Sequence, residues 1–64
     1  MTDEADAFGW YSSDERLLAR LEYRHARWRA EVYGEGEAWA ADFEEEGDAV
    51  GWITARVQGE RTPL

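Results

Sequence analysis

The chain has no cysteine and no lysine, one histidine, one proline and one methionine in 64 residues. Without cysteine there is no disulfide to close a loop and no thiolate for a metal centre, and one histidine is too few for a His-rich metal site. Histidine is the residue type best suited to general-base work near neutral pH. Its only copy, His25, has no cysteine nucleophile to serve, and Ser12 and Ser13 are occupied at a helix cap. An enzyme is therefore not expected, nor is a cofactor. No stretch reaches the roughly 20 apolar residues of a membrane span. The N-terminus lacks the basic and apolar regions of a secretory signal, so a soluble, cytoplasmic protein is the expectation.

A chain this short forms one domain, residues 1–64, and buries only about 60% of its unfolded surface. Its polar ends, residues 1–7 and 58–64, are expected to fray. Four Trp, three Tyr and two Phe supply the mass of a small core, and oligomerisation is the other common supplement.

Acid is what the chain has in excess. Fifteen Asp and Glu against seven Arg leave a net charge of −8, a field that repels nucleic acid and anionic membranes and favours basic partners. The acids are not spread evenly. Residues 13–33 carry five Arg against Asp14, Glu15, Glu22 and Glu31, whereas residues 34–64 carry eight acids against Arg56 and Arg61.

The punctuation of Ser12 to Gly34 predicts a long helix. Ser12 and Glu15 stand in the relation of a capping box, and Gly34 follows the last apolar residue as a C-terminal stop. Leu17, Leu18, Leu21, His25, Trp28 and Val32 recur at three- and four-residue steps, which is one face at 3.6 residues per turn. In that reading Arg16, Arg20, Arg24 and Arg27 share a flank, and Ala19, Tyr23, Ala26 and Ala30 occupy the back, a surface suited to a helix-mediated homodimer. After Gly36 the period changes to two. Trp39, Ala41 and Phe43 alternate with polar or small residues, Glu45-Glu46-Gly47 reads as a turn, and Val50 to Val57 is rich in β-branched residues. This predicts a hairpin, with a helix over Glu37–Glu46 as its rival. Phe8 and Trp10 alternate as in a short strand. The expected fold is α+β, a long amphipathic helix on a small antiparallel sheet in the order β-α-β-β.

Asp42, Glu44, Glu45, Glu46 and Asp48 crowd five acids into seven positions beside Phe43. A calcium loop starting at Asp42 has its glycine at the sixth position but Ile53 at the twelfth, where a bidentate Glu is required, so no metal is assigned. The cluster, helped by Glu35 and Glu37, is the candidate partner-binding surface. Small size, acidity and surplus aromatics resemble the phage-encoded inhibitors that mimic DNA, among them anti-restriction and anti-CRISPR proteins. That resemblance implies an inhibitor occupying the basic nucleic-acid-binding surface of a larger protein. The alternative is a small dimeric accessory or antitoxin-like protein that uses the alanine-rich face. A third reading takes the acidity to reflect only solubility or a saline habitat.

Overall fold

From Leu17 to Tyr33 the side chains obey a period of two as well as one of 3.6, and the shorter period prevails. The computed structural model describes residues 6–64 and folds them as β1 (Ala7–Tyr11), β2 (Leu17–Arg24), β3 (Arg27–Gly34), β4 (Glu37–Phe43), α1 (Glu46–Thr54) and β5 (Glu60–Pro63). The predicted helix is an antiparallel hairpin of β2 and β3, paired Ala19 with Val32, Leu21 with Ala30, and Tyr23 with Trp28. Those residues share one face of the sheet. Arg20 with Glu31, Glu22 with Arg29, and Arg24 with Arg27 share the other, because successive strand residues point to opposite faces.

The chain reverses at His25 and Ala26, both left-handed at φ 55° and 62°. Two positive φ values in a two-residue connection define a type I′ turn, whose backbone matches the twist of the flanking strands. Asn-Gly is the usual occupant; His-Ala carries the same geometry at a cost. A left-handed conformation costs an ordinary residue roughly 1–2 kcal/mol, and the extra freedom of an unfolded glycine offsets roughly 0.4–1 kcal/mol of any relief. Ala26→Gly is therefore expected to stabilise the protein by about 0.5–1 kcal/mol, read as a higher urea midpoint at constant slope. In a continuous helix the same change would destabilise by about 1 kcal/mol, so the sign alone decides.

The residues taken for a capping box form the β1–β2 connection instead. The Glu15 N–H donates to the Ser12 carbonyl at 2.9 Å, the Ser12 N–H to the Arg16 carbonyl at 2.9 Å, and the Arg16 N–H to the Ser12 hydroxyl at 3.2 Å. Glu15 is left-handed, φ 65°. The Ser12 hydroxyl also donates to the Asp14 carboxylate, which holds that carboxyl below its ordinary range.

All five strands form one antiparallel sheet in the order β4-β3-β2-β1-β5. α1 carries the chain from β4 at one edge to β5 at the other and packs chiefly on β3. The α+β class stands, but the element order is not β-α-β-β, and the helix is nine residues long. The expected hairpin of Trp39–Phe43 with Val50–Val57 is not formed, since Val50 to Thr54 belong to α1. Ala49 and Ile53, one helical turn apart, are fully buried, and Val50, Trp52 and Val57 flank them. Glu46 and Asp48 lie in the first turn, where the helix dipole favours acids. Arg56 closes the other end, donating to the Trp52 carbonyl at 2.8 Å and stacking on the Trp52 ring at 4.3 Å.

The core joins Trp10, Ala19, Leu21, Ala30 and Val32 of the sheet to Ala49 and Ile53 of the helix. Part of the tail expected to fray is ordered. β5 pairs with β1 from Phe8–Pro63 to Tyr11–Glu60, and the Leu64 N–H donates to the Ala7 carbonyl at 2.9 Å. A Cβ at Gly59 would lie 2.7 Å from the Tyr11 carbonyl oxygen, so the absence of a side chain there lets the chain enter β5. The expectation for residues 1–5 lies outside the described residues. Among the described residues, no helix is long and apolar enough to cross a membrane.

Candidate protein-binding surface

The sheet's two faces have different chemistry. α1 covers the apolar face. The open face is a lattice of charge: Arg20 pairs with Glu22 at 3.7 Å, and Arg29 with Glu31 at 3.3 Å and with Asp42 at 3.7 Å. The Tyr33 hydroxyl donates to Glu31 at 2.8 Å. That hydrogen bond, with Arg29 behind it, holds the Glu31 carboxyl below its ordinary range. Burial, then the hydrogen bond to Glu31 and its charge, push the Tyr33 hydroxyl up. Of the arginines expected to share a helix flank, Arg20, Arg24 and Arg27 lie on the open face of the sheet, and Arg16 precedes β2.

The acids of the candidate surface fall into separate groups. Asp42 lies on the open face and is neutralised by Arg29. Glu46 pairs with Arg61, whose guanidinium also stacks over Phe8 at 3.9 Å. Phe43 is half-buried against Trp52, ring centroids 6.0 Å apart, and is not a free anchor. Glu44, Glu45 and Asp48 are exposed at the junction of β4 and α1, a strand-to-helix connection and not a hairpin tip. Glu35 and Glu37 are exposed at the opposite end of β4, roughly 20 Å away at the rise of an extended strand. Among the described residues, none of these five acids forms an ion pair.

The alanine-rich face proposed for a homodimer depended on the helix and is not formed. Ala19 and Ala30 have no exposed surface, being covered by α1, while Tyr23 is half-exposed and Ala26 lies in the type I′ turn.

Two features escaped the helical reading because they arise only from strand register. Arg24 and Arg27 are direct cross-strand neighbours without a carboxylate partner among the described residues. With His25, Arg29 and Asp42 they line a hollow of about 360 Å³. On the covered side, Trp39 is 49% exposed at the edge of a second hollow of about 570 Å³, lined by Val32, Tyr33, Gly34, Trp39, Arg56 and Val57. The strict alternation of Arg27 to Tyr33 was the one available signal for either. Among the described residues no group of His, Cys, Asp and Glu is placed to hold a metal ion. Comparison with protein-family models, with characterised proteins and with solved structures finds no match to this chain.

Proposed function

We propose that this chain is a small non-enzymatic binding protein whose unpaired acids dock on a basic surface of a larger protein, taking the place that surface keeps for nucleic acid. The observation that carries the reading is the division of the acids. Those on the open face are matched by arginine, whereas Glu44, Glu45 and Asp48 at one end of β4, and Glu35 and Glu37 at the other, are exposed and unmatched. Like charges held together without counter-charges repel one another, a cost to folding that the helix dipole offsets only at Asp48, and they speed encounter with a basic surface.

The test uses a partner recovered by pull-down from nuclease-treated lysate of the source organism. Replacing Glu44 and Glu45 with Gln and Asp48 with Asn is expected to slow association by about an order of magnitude at low salt, to flatten the salt dependence, and to change stability by no more than about 1 kcal/mol, the dipole interaction of Asp48. Glu46 is kept, because its ion pair with Arg61 ties α1 to β5. Competing DNA should displace the wild type from the partner. An unchanged rate and salt response in the triple variant, or a complex indifferent to DNA, overturns the reading.

A further inference from the structure

The sheet has two edges, and they are unequally protected. β5 has four residues, ends at Pro63 and holds Arg61 across Phe8. Shortness, proline and a charged side chain are the devices by which an edge avoids pairing with another chain. β4 is less protected: its two charged residues, Glu37 and Asp42, lie toward its ends, Asp42 is paired with Arg29, and the stretch between them carries no charge. It runs seven residues from Glu37 to Phe43, without proline, lysine or arginine, and pairs with β3 at every position without a bulge. Its middle is Ala38-Trp39-Ala40-Ala41, with Ala38, Trp39 and Ala40 exposed.

The turn before β4 determines which of its backbone groups are free. Gly34 and Glu37 pair across the two-residue connection Glu35-Gly36, with Gly36 left-handed at φ 71°. A pair closing such a turn is hydrogen-bonded, and antiparallel ladders alternate bonded with non-bonded pairs. Trp39, Ala41 and Phe43 therefore bond inward to β3. Ala38, Ala40 and Asp42 turn their N–H and C=O outward, away from the sheet. An incoming strand would meet small side chains on the open face, at Ala38 and Ala40. On the covered face it would meet Trp39 beside its hollow of about 570 Å³.

We infer that β4 is a strand-addition site for an extended basic segment of the partner, one that places an apolar side chain against Trp39 and cationic side chains at its two ends. Backbone pairing of this kind supplies affinity, and pockets for alternate side chains supply selectivity. Charge selects the occupant. Glu35 and Glu37 flank one end of the edge, and Glu44 and Glu45 the other. A second copy of this chain would bring another −8 of charge to the same edge, whereas basic arms of nucleic-acid-binding proteins are extended and cationic. The inference rests on the proposed recognition of a basic partner, but the edge is established by different observations.

The probe is a synthetic peptide of alternating valine and threonine with two lysines at each end, compared with the same peptide N-methylated at alternate residues. Wild-type protein is expected to bind the first at least tenfold more tightly than the second by calorimetry. Binding should slow hydrogen exchange at the Ala38 and Ala40 amides at least tenfold. Ala40→Pro removes an outward N–H and no bond to β3, so the variant should keep its circular dichroism spectrum and lose at least tenfold in affinity. The N-methylated peptide poses the same question should that variant fail to fold. Equal binding of the two peptides, with affinity that still falls in salt and in the Glu44, Glu45 and Asp48 variant, would overturn strand addition and leave recognition by the acids standing. A peptide that neither protects those amides nor responds to salt would overturn both. Light scattering that shows a dimer, with Ala38 and Ala40 protected before any peptide is added, would give the edge to a second copy and overturn the basic occupant.

Discussion

Trp10→Ala is expected to unfold the protein or leave it barely folded at room temperature. Trp10 is 1% exposed and is one of three large, fully buried side chains, with Leu21 and Ile53. The other wholly buried positions, Ala19, Ala30 and Ala49, are small. They let α1 approach the sheet closely but fill little volume. Truncating a buried tryptophan costs about 3–5 kcal/mol, because the contacts are lost and the void does not collapse. At roughly 0.05–0.15 kcal/mol per residue, a chain of this length has about 3–10 kcal/mol in all. Urea titration followed by near-ultraviolet circular dichroism measures the loss. Trp28 is the tryptophan that helical spacing selects as the core anchor, yet in the structure it is half-buried at the turn end of β2 and β3, against Tyr23 at a centroid distance of 4.8 Å. Trp28→Ala should cost about 1–3 kcal/mol, in the range of ordinary substitutions. A Trp28 variant weaker than the Trp10 variant would show the core to be misassigned.

Several parts of this fold were legible in the sequence. The alternation of Phe8 with Trp10 and of Trp39, Ala41 and Phe43 belongs to β1 and β4, and in each case the apolar set lies on the side of the sheet where α1 packs. The β2–β3 hairpin was obscured by a conflict between two periods. Leu17, Leu18, Leu21, Trp28 and Val32 satisfy helical spacing, while Arg27 to Tyr33 alternate strictly. The residues at the reversal, His25 and Ala26, lack the glycine or asparagine that normally marks a type I′ turn. Ser12, Asp14 and Glu15 hold acceptors that serve a turn as well as a cap, so the same letters supported either structure. α1 was hidden for the opposite reason. Its N-cap, Glu45, makes no side-chain cap bond, Gly47 and Gly51 lower its helix propensity, and Val50, Ile53 and Thr54 favour strands in isolation. Burial of Ala49 and Ile53 against β3 outweighs that local preference. The acids of the candidate surface could be listed from the sequence, but their matching could not. Only strand register shows that Asp42 meets Arg29, and only the path from α1 to β5 brings Arg61 to Glu46.

Ala30→Glu separates the helical and sheet readings most sharply. On a helix from Ser12 to Gly34, Ala30 lies on the back, opposite the apolar stripe, where a glutamate is tolerated at a propensity cost of roughly a few tenths of a kcal/mol. In the sheet, Ala30 stands between Leu21 of β2 and Ala41 of β4, on the face that α1 covers, with no exposed surface. A carboxylate there has no room and no partner. The nearest arginines in the register, Arg20 and Arg29, project from the opposite face. A buried charge without a partner costs about 3–5 kcal/mol, and displacing α1 to release it would expose Ala49 and Ile53. The variant is therefore expected to lose the cooperative unfolding transition at neutral pH. Ala38→Gln provides the control. Ala38 is exposed on β4, and its substitution should stay within about 0.5 kcal/mol of the wild type. An Ala30→Glu protein that melts cooperatively near the wild-type temperature would show that β3 is not the strand beneath the helix, and the placement of every acid along the β4 edge would fall with it.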